Sequence, residues 1–120
     1  MKLHHLALAL STYASVSTAS ESELSAYIGN PKALSIVAPY YQCMKLRIST
    51  YAKKSPSTQD AIDAAKAACS NQRSMMISNT SDEFILDMPR DMADKNAKEL
   101  ADDIDIKIRP LYVKAALDAR

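Results

Sequence analysis

Apolar residues recur at helical spacing along most of the chain, and the polar breaks between them fall at residue types that start or stop helices. Tyr41, Met44, Ile48 and Tyr51 share one helix face, with Tyr40 and Cys43 beside them. Ile62, Ala65, Cys69, Gln72 and Met76 line up on a second, and Met92, Ala93, Asn96, Ala97, Leu100, Ile104, Ile108, Leu111 and Ala115 form a third stripe toward the C-terminus. Ala61, Ala64, Ala65, Ala67 and Ala68 surround the second stripe, and such small side chains let neighbouring helices approach closely.

The punctuation between these stripes sets the expected boundaries. A short helix from Glu21 or Ser22 to Ile28 ends at Gly29, a residue type suited to a left-handed C-cap. Asn30-Pro31 reads as an N-cap followed by proline at the first helical position, where no N–H is needed. The helix that follows reaches about Ala52, and Pro39 kinks or splits it near Ser35, whose carbonyl loses its donor. After the turn Lys53-Lys54-Ser55-Pro56-Ser57, the pair Ser57 and Asp60 has capping-box spacing and opens a second arm to about Ser78. Thr80 and Glu83 repeat that spacing and mark a further start before Phe84, Ile85 and Met88, and Pro89 interrupts soon afterwards. A last helix runs from about Arg90 to the C-terminus, kinked or broken at Pro110. Ile104 to Ile108 alternates with period two, as a strand does, but no second strand candidate exists to pair with it, so helix is the reading.

Two cysteines, Cys43 and Cys69, lie at nearly equal distances on either side of the turn. At about 1.5 Å per residue each sits roughly 15 to 20 Å from the bend, level with the other in an antiparallel pair. The predicted fold is therefore all-α: a small helical bundle built around a disulfide-linked antiparallel helical hairpin, with a kinked C-terminal helix. A disulfide requires an oxidising compartment. The N-terminus agrees: Met1-Lys2, the apolar run Leu6 to Leu10, and the small residues Ser17-Thr18-Ala19 read as a signal peptide over residues 1–19, leaving a single helical domain over 20–120 in the periplasm or secreted. No segment approaches the roughly 20 apolar residues of a membrane span. In export, size and cysteine number the chain resembles small disulfide-bearing helical proteins of the bacterial periplasm, including acid-stress chaperones, although the cysteine spacing carries none of their motifs over.

Charge and chemistry narrow the function. The chain carries a formal net charge of +1, and loss of the leader removes Lys2 and both histidines, so the mature protein is neutral overall and no strongly basic nucleic-acid surface is indicated. Without histidine, free thiol or glycine-rich loop there are no parts for triad chemistry, phosphate cradling or ordinary zinc ligation, which argues against an enzyme and against a cofactor. Glu99, Asp102 and Asp103 fall on adjacent turns of a helix, the pattern of a solvated face. Asn79-Thr80-Ser81 matches a glycosylation acceptor, relevant only in a eukaryotic secretory pathway.

The charge is unevenly shared: residues 31–73 are basic (Lys32, Lys45, Arg47, Lys53, Lys54, Lys66 and Arg73 against Asp60 and Asp63), whereas residues 81–120 are acidic on balance. The halves neutralise each other on packing, or leave a basic face for an acidic partner. The favoured expectation is an exported, non-enzymatic interaction protein (inhibitor, immunity factor or chaperone-like) that contacts an unknown protein through Tyr40, Tyr41, Lys45, Arg47, Lys53 and Lys54. A second is a carrier of a small hydrophobic ligand or metal, held among Met75, Met76, Phe84, Met88 and Met92, although methionines at such positions also fill helix-packing gaps. A third is a structural envelope component.

Overall fold

A computed structural model describes residues 21–120. The signal peptide expected over 1–19 lies outside the described residues. Among them the chain is all-helical, with a short helical segment at 21–25 followed by α1 (Pro31–Ala52), α2 (Thr58–Ala68), α3 (Ser70–Phe84), α4 (Arg90–Lys107) and α5 (Arg109–Ala119). No strand forms there, and Ile104 to Lys107 are helical.

The expected caps are in place. The Asn30 Oδ1 accepts from the Lys32 and Ala33 N–H groups at 2.9 and 3.1 Å, with Pro31 opening α1. The Ser57 Oγ accepts from the Asp60 N–H at 3.1 Å and opens α2. Gly29 is different: its φ is not positive, and the first segment closes instead by a bond from the Ile28 N–H to the Leu24 carbonyl at 3.0 Å.

Two boundaries depart from the local signals, and the break expected at Pro110 falls two residues before it. α1 is not split: it passes continuously through Pro39, because Val37, Ala38, Tyr40 and Tyr41 on either side are buried and hold the backbone in register. The second arm, expected unbroken to Ser78, divides at Cys69, whose φ and ψ of −98° and 19° lie off the helical values, and then continues past the expected new start at Thr80 as far as Phe84. Thr80 is buried, and its hydroxyl donates to the Met76 carbonyl at 2.8 Å, so it sits within a helix rather than capping one. The C-terminal helix breaks at Ile108 (φ −94°, ψ 6°), two residues before Pro110, which cannot supply a donor to the Ile106 carbonyl.

These breaks redirect the chain between partners. α2 packs on α1 and α5, while α3 packs on α1 and most extensively on α4; α4 then lies along α3, and α5 returns against α1. The core gathers Leu24, Val37, Tyr40, Tyr41, Met44, Ile48, Ile62, Met76, Ile108 and Tyr112. Of the expected C-terminal stripe, Ala93, Ala97, Ile104, Ile108, Leu111 and Ala115 are buried, but Met92 and Leu100 are exposed and Asn96 is half-buried. The stripe rotates because it faces α3 before the break and α1 after it, which brings in Ala101, Tyr112 and Ala116. Cys43 and Cys69 are joined, with Cα atoms 5.9 Å apart, so the disulfide ties the middle of α1 to the junction of α2 and α3.

Candidate functional site

Beside the disulfide the five helices meet at one carboxylate. Asp105 on α4 follows the buried Ala101 by one turn and precedes the buried Ile108 and Tyr112, so helical geometry aims its side chain inward. Its Oδ1 accepts from the Tyr40 hydroxyl of α1 at 2.8 Å and from the Tyr112 hydroxyl of α5 at 3.1 Å. Its Oδ2 faces the Arg73 Nε of α3 and the Lys66 Nζ of α2, both at 3.3 Å. Arg73 also donates to the Asp102 Oδ1 at 2.6 Å.

Burial pushes Tyr40 well above the ordinary phenol range, and the Asp105 charge adds to it. Tyr112 moves the same way, first through burial and then through Tyr40 and Asp105. Both phenols therefore stay protonated and act as donors. Burial disfavours the Arg73 charge, but Asp105 and Asp102 outweigh it and the guanidinium is raised further. Three hydrogen-bond donors and the Lys66 ammonium thus surround the two oxygens of Asp105, which ties side chains of all five helices together. Among the described residues, no three His, Cys, Asp or Glu side chains come together to hold a metal ion, and no helix is long and apolar enough to cross a membrane.

A smaller knot pins the first segment. The Glu23 carboxylate accepts from the Tyr41 hydroxyl at 2.7 Å and from the Lys45 Nζ at 2.9 Å. Those two bonds, the tyrosine's first, hold it below the usual carboxylate range. Tyr41 rises, chiefly through burial and then through Glu23.

The residues expected to bind a partner therefore separate into two groups. Tyr40 and Tyr41 are buried against the core, each hydroxyl taken by a carboxylate, and offer no contact surface. The sequence shows two adjacent tyrosines but not that Asp105 and Glu23, far along the chain, cap them. Lys45 is committed to Glu23. Arg47, Lys53 and Lys54 are exposed and form no ion pair with the described residues.

The other basic residues of the hairpin are matched. Lys32 pairs with Glu83 at 2.8 Å, and Lys66 and Arg73 with the acidic helix α4. The unmatched three are exposed on the C-terminal half of α1 and its turn, where Leu46 is also exposed, at 67%. A trough of about 400 Å3 runs beside it, lined by Lys45, Leu46, Ser49, Thr50 and Lys53 of α1 and its end and by Ala115, Asp118 and Ala119 of α5.

The proposed ligand set does not converge. Met76 is in the core, Met75 and Met92 are on the surface, and Phe84 and Met88 are half-buried, with the Met88 Sδ accepting from the Asn96 amide at 3.4 Å. Phe84 does line an apolar groove of about 290 Å3 with Ala33, Ile36, Val37, Leu100 and Ile104, beside the Lys32–Glu83 pair. Sequence spacing could have found Asp105, an acid on a buried stripe, whereas nothing local marks Glu23 or Leu46 as exceptional. No protein-family model matches the chain, and no curated protein or solved structure is significantly similar to it.

Proposed function

We propose that this is an exported, non-enzymatic interaction protein that docks an acidic protein surface on the outer face of the C-terminal half of α1. The supporting observation is the residue of charge left after folding: Arg47, Lys53 and Lys54 stay unmatched on a stretch that also exposes a leucine while the hairpin's other cations find carboxylates. An exposed apolar side chain on a basic stretch of helix suits a partner helix or loop carrying carboxylates beside an apolar side chain. The disulfide holds α1 against the α2–α3 junction, so the face is rigid before binding and little ordering entropy is lost on association. The leader pattern together with the closed disulfide supports export, and an inhibitor, immunity or chaperone-like role fits such a face.

Native mass spectrometry of the protein from its host's exported fraction tests this reading. The expected species starts near Ser20, is lighter than its reduced form by the two thiol hydrogens, and carries a protein partner. In the Arg47→Ala, Lys53→Ala, Lys54→Ala variant the partner is held at least about tenfold more weakly, and wild-type affinity falls with added salt. Unchanged binding by that variant would remove the docking face, and an uncleaved chain with free thiols would remove export. The apolar groove at Phe84 favours one second reading, a carrier of a small hydrophobic ligand, which a small-molecule adduct in the same spectrum would identify.

A further inference from the structure

A cleft of about 330 Å3 lies between α2 and the α4–α5 junction, at the low end of small-molecule sites, and its floor is the Asp105 knot. Its apolar part is floored by the buried Met44, Ile62 and Tyr112, and Ile106 stands at the rim 73% exposed, among the most exposed large apolar side chains of the described residues. The rest is charged with both signs, by Asp63, Lys66, Asp102 and Arg109.

Which of these charges are already committed decides what the cleft accepts. Asp105 is committed to Tyr40, Tyr112 and Arg73, and Lys66 is drawn to it at 3.3 Å. Arg109 makes no ion pair or hydrogen bond with any described side chain. Asp102 gives only its Oδ1 to Arg73, and Asp63 accepts only from the Gln59 amide, at 2.8 Å. A free guanidinium, the Asp63 carboxylate without a cation of its own, the second oxygen of the Arg73-paired Asp102, and an uncovered isoleucine thus line one cleft. A ligand carrying a carboxylate, an ammonium group and an apolar body would satisfy all of them.

We propose that this cleft binds a free α-amino acid with an apolar side chain. The guanidinium of Arg109 takes the ligand carboxylate, Asp63 takes its ammonium group with the second oxygen of Asp102 beside it, and its side chain covers Ile106. The cleft shares no lining residue with the trough beside Leu46, so this site and the docking face stand or fall separately.

Titration of the oxidised, full mature chain with L-leucine, followed by amide chemical shifts, tests the proposal. Saturable shifts are expected at Ile62, Lys66, Ile106 and Arg109 at ligand concentrations up to about 10 mM. Arg109→Ala should weaken binding by about tenfold or more, and N-acetyl-L-leucine and L-leucinamide, each lacking one charge, should lose a similar factor. Arg109 is exposed, so its replacement does not challenge the fold. Absence of saturable shifts with L-leucine, unchanged binding by Arg109→Ala, or equal binding of either capped analogue would overturn the proposal, whatever the partner experiment shows.

Discussion

Removing the Asp105 carboxylate would leave the Arg73 guanidinium, the Lys66 ammonium and two buried phenols without their common acceptor, at a site where the side chain is only 12% exposed. Breaking a buried charged cluster from one side costs far more than the cluster contributes net, because the orphaned groups remain desolvated. Asp105→Ala should therefore lower unfolding free energy by about 3 kcal/mol. Asp102→Ala, whose carboxylate is mostly exposed, should cost about 0.5 kcal/mol. Urea unfolding followed by far-UV circular dichroism measures both.

Glu23 gives a pH-dependent counterpart at the same scale. Its carboxyl is held below the ordinary value of 4.5, so its contribution is complete above that value and is lost as pH falls through the lower folded-state value. The side chain is 37% exposed, and solvent screening keeps the effect local. Protection of the Tyr27 and Ile28 amides against hydrogen exchange should fall in that acid range before the rest of the molecule responds. Glu23→Gln should remove this pH dependence.

At the scale of elements, α1 shows a local preference overruled by packing. Pro39 cannot donate to the Ser35 carbonyl, and interior proline destabilises a helix by about 3 kcal/mol. Buried side chains on both sides of it supply enough contact to keep the helix continuous. Pro39 itself is exposed, so Pro39→Ala removes little packing and allows the missing bond. That replacement should raise the thermal midpoint, with a gain of about 1 to 3 kcal/mol. Cys69 shows the reverse: a helix interrupted where neither proline nor glycine stands, because α2 faces α1 and α5 whereas α3 faces α1 and α4. Two helices that bury different faces against different partners cannot remain one straight rod.

For the whole molecule the disulfide links the middle of α1 to that junction, closing a loop that spans the hairpin turn. Replacing both cysteines by alanine should lower stability by about 3 to 4 kcal/mol, as read from the denaturation midpoint, while leaving the helix content of the folded state. Most of the charge asymmetry between the hairpin and the acidic C-terminal half serves assembly: Lys32, Lys66 and Arg73 meet Glu83, Asp102 and Asp105 across helix interfaces. Of the hairpin's cations, the unmatched ones, Arg47, Lys53 and Lys54, lie in the C-terminal half of α1 and its turn. This division of one sequence-level excess into a structural part and a free part underlies the proposed docking face.

The helical class, the caps at Asn30 and Ser57 and the pairing of the only two cysteines were legible in the sequence, because each depends on neighbours within a few residues or on a simple register of two arms. The burial of both Tyr40 and Tyr41, the break at Cys69, the exposure of Met92 and Leu100 and the cleft over Asp105 were not, whereas the break near Pro110 was. They depend on which helix lies against which: periodicity shows that a face is apolar, but only the crossing of α3, α4 and α5 with α1 decides which part of that face is covered. Likewise, a count of charges predicts complementarity, whereas the distances between side chains remote in the chain decide which charges cancel and which remain at the surface.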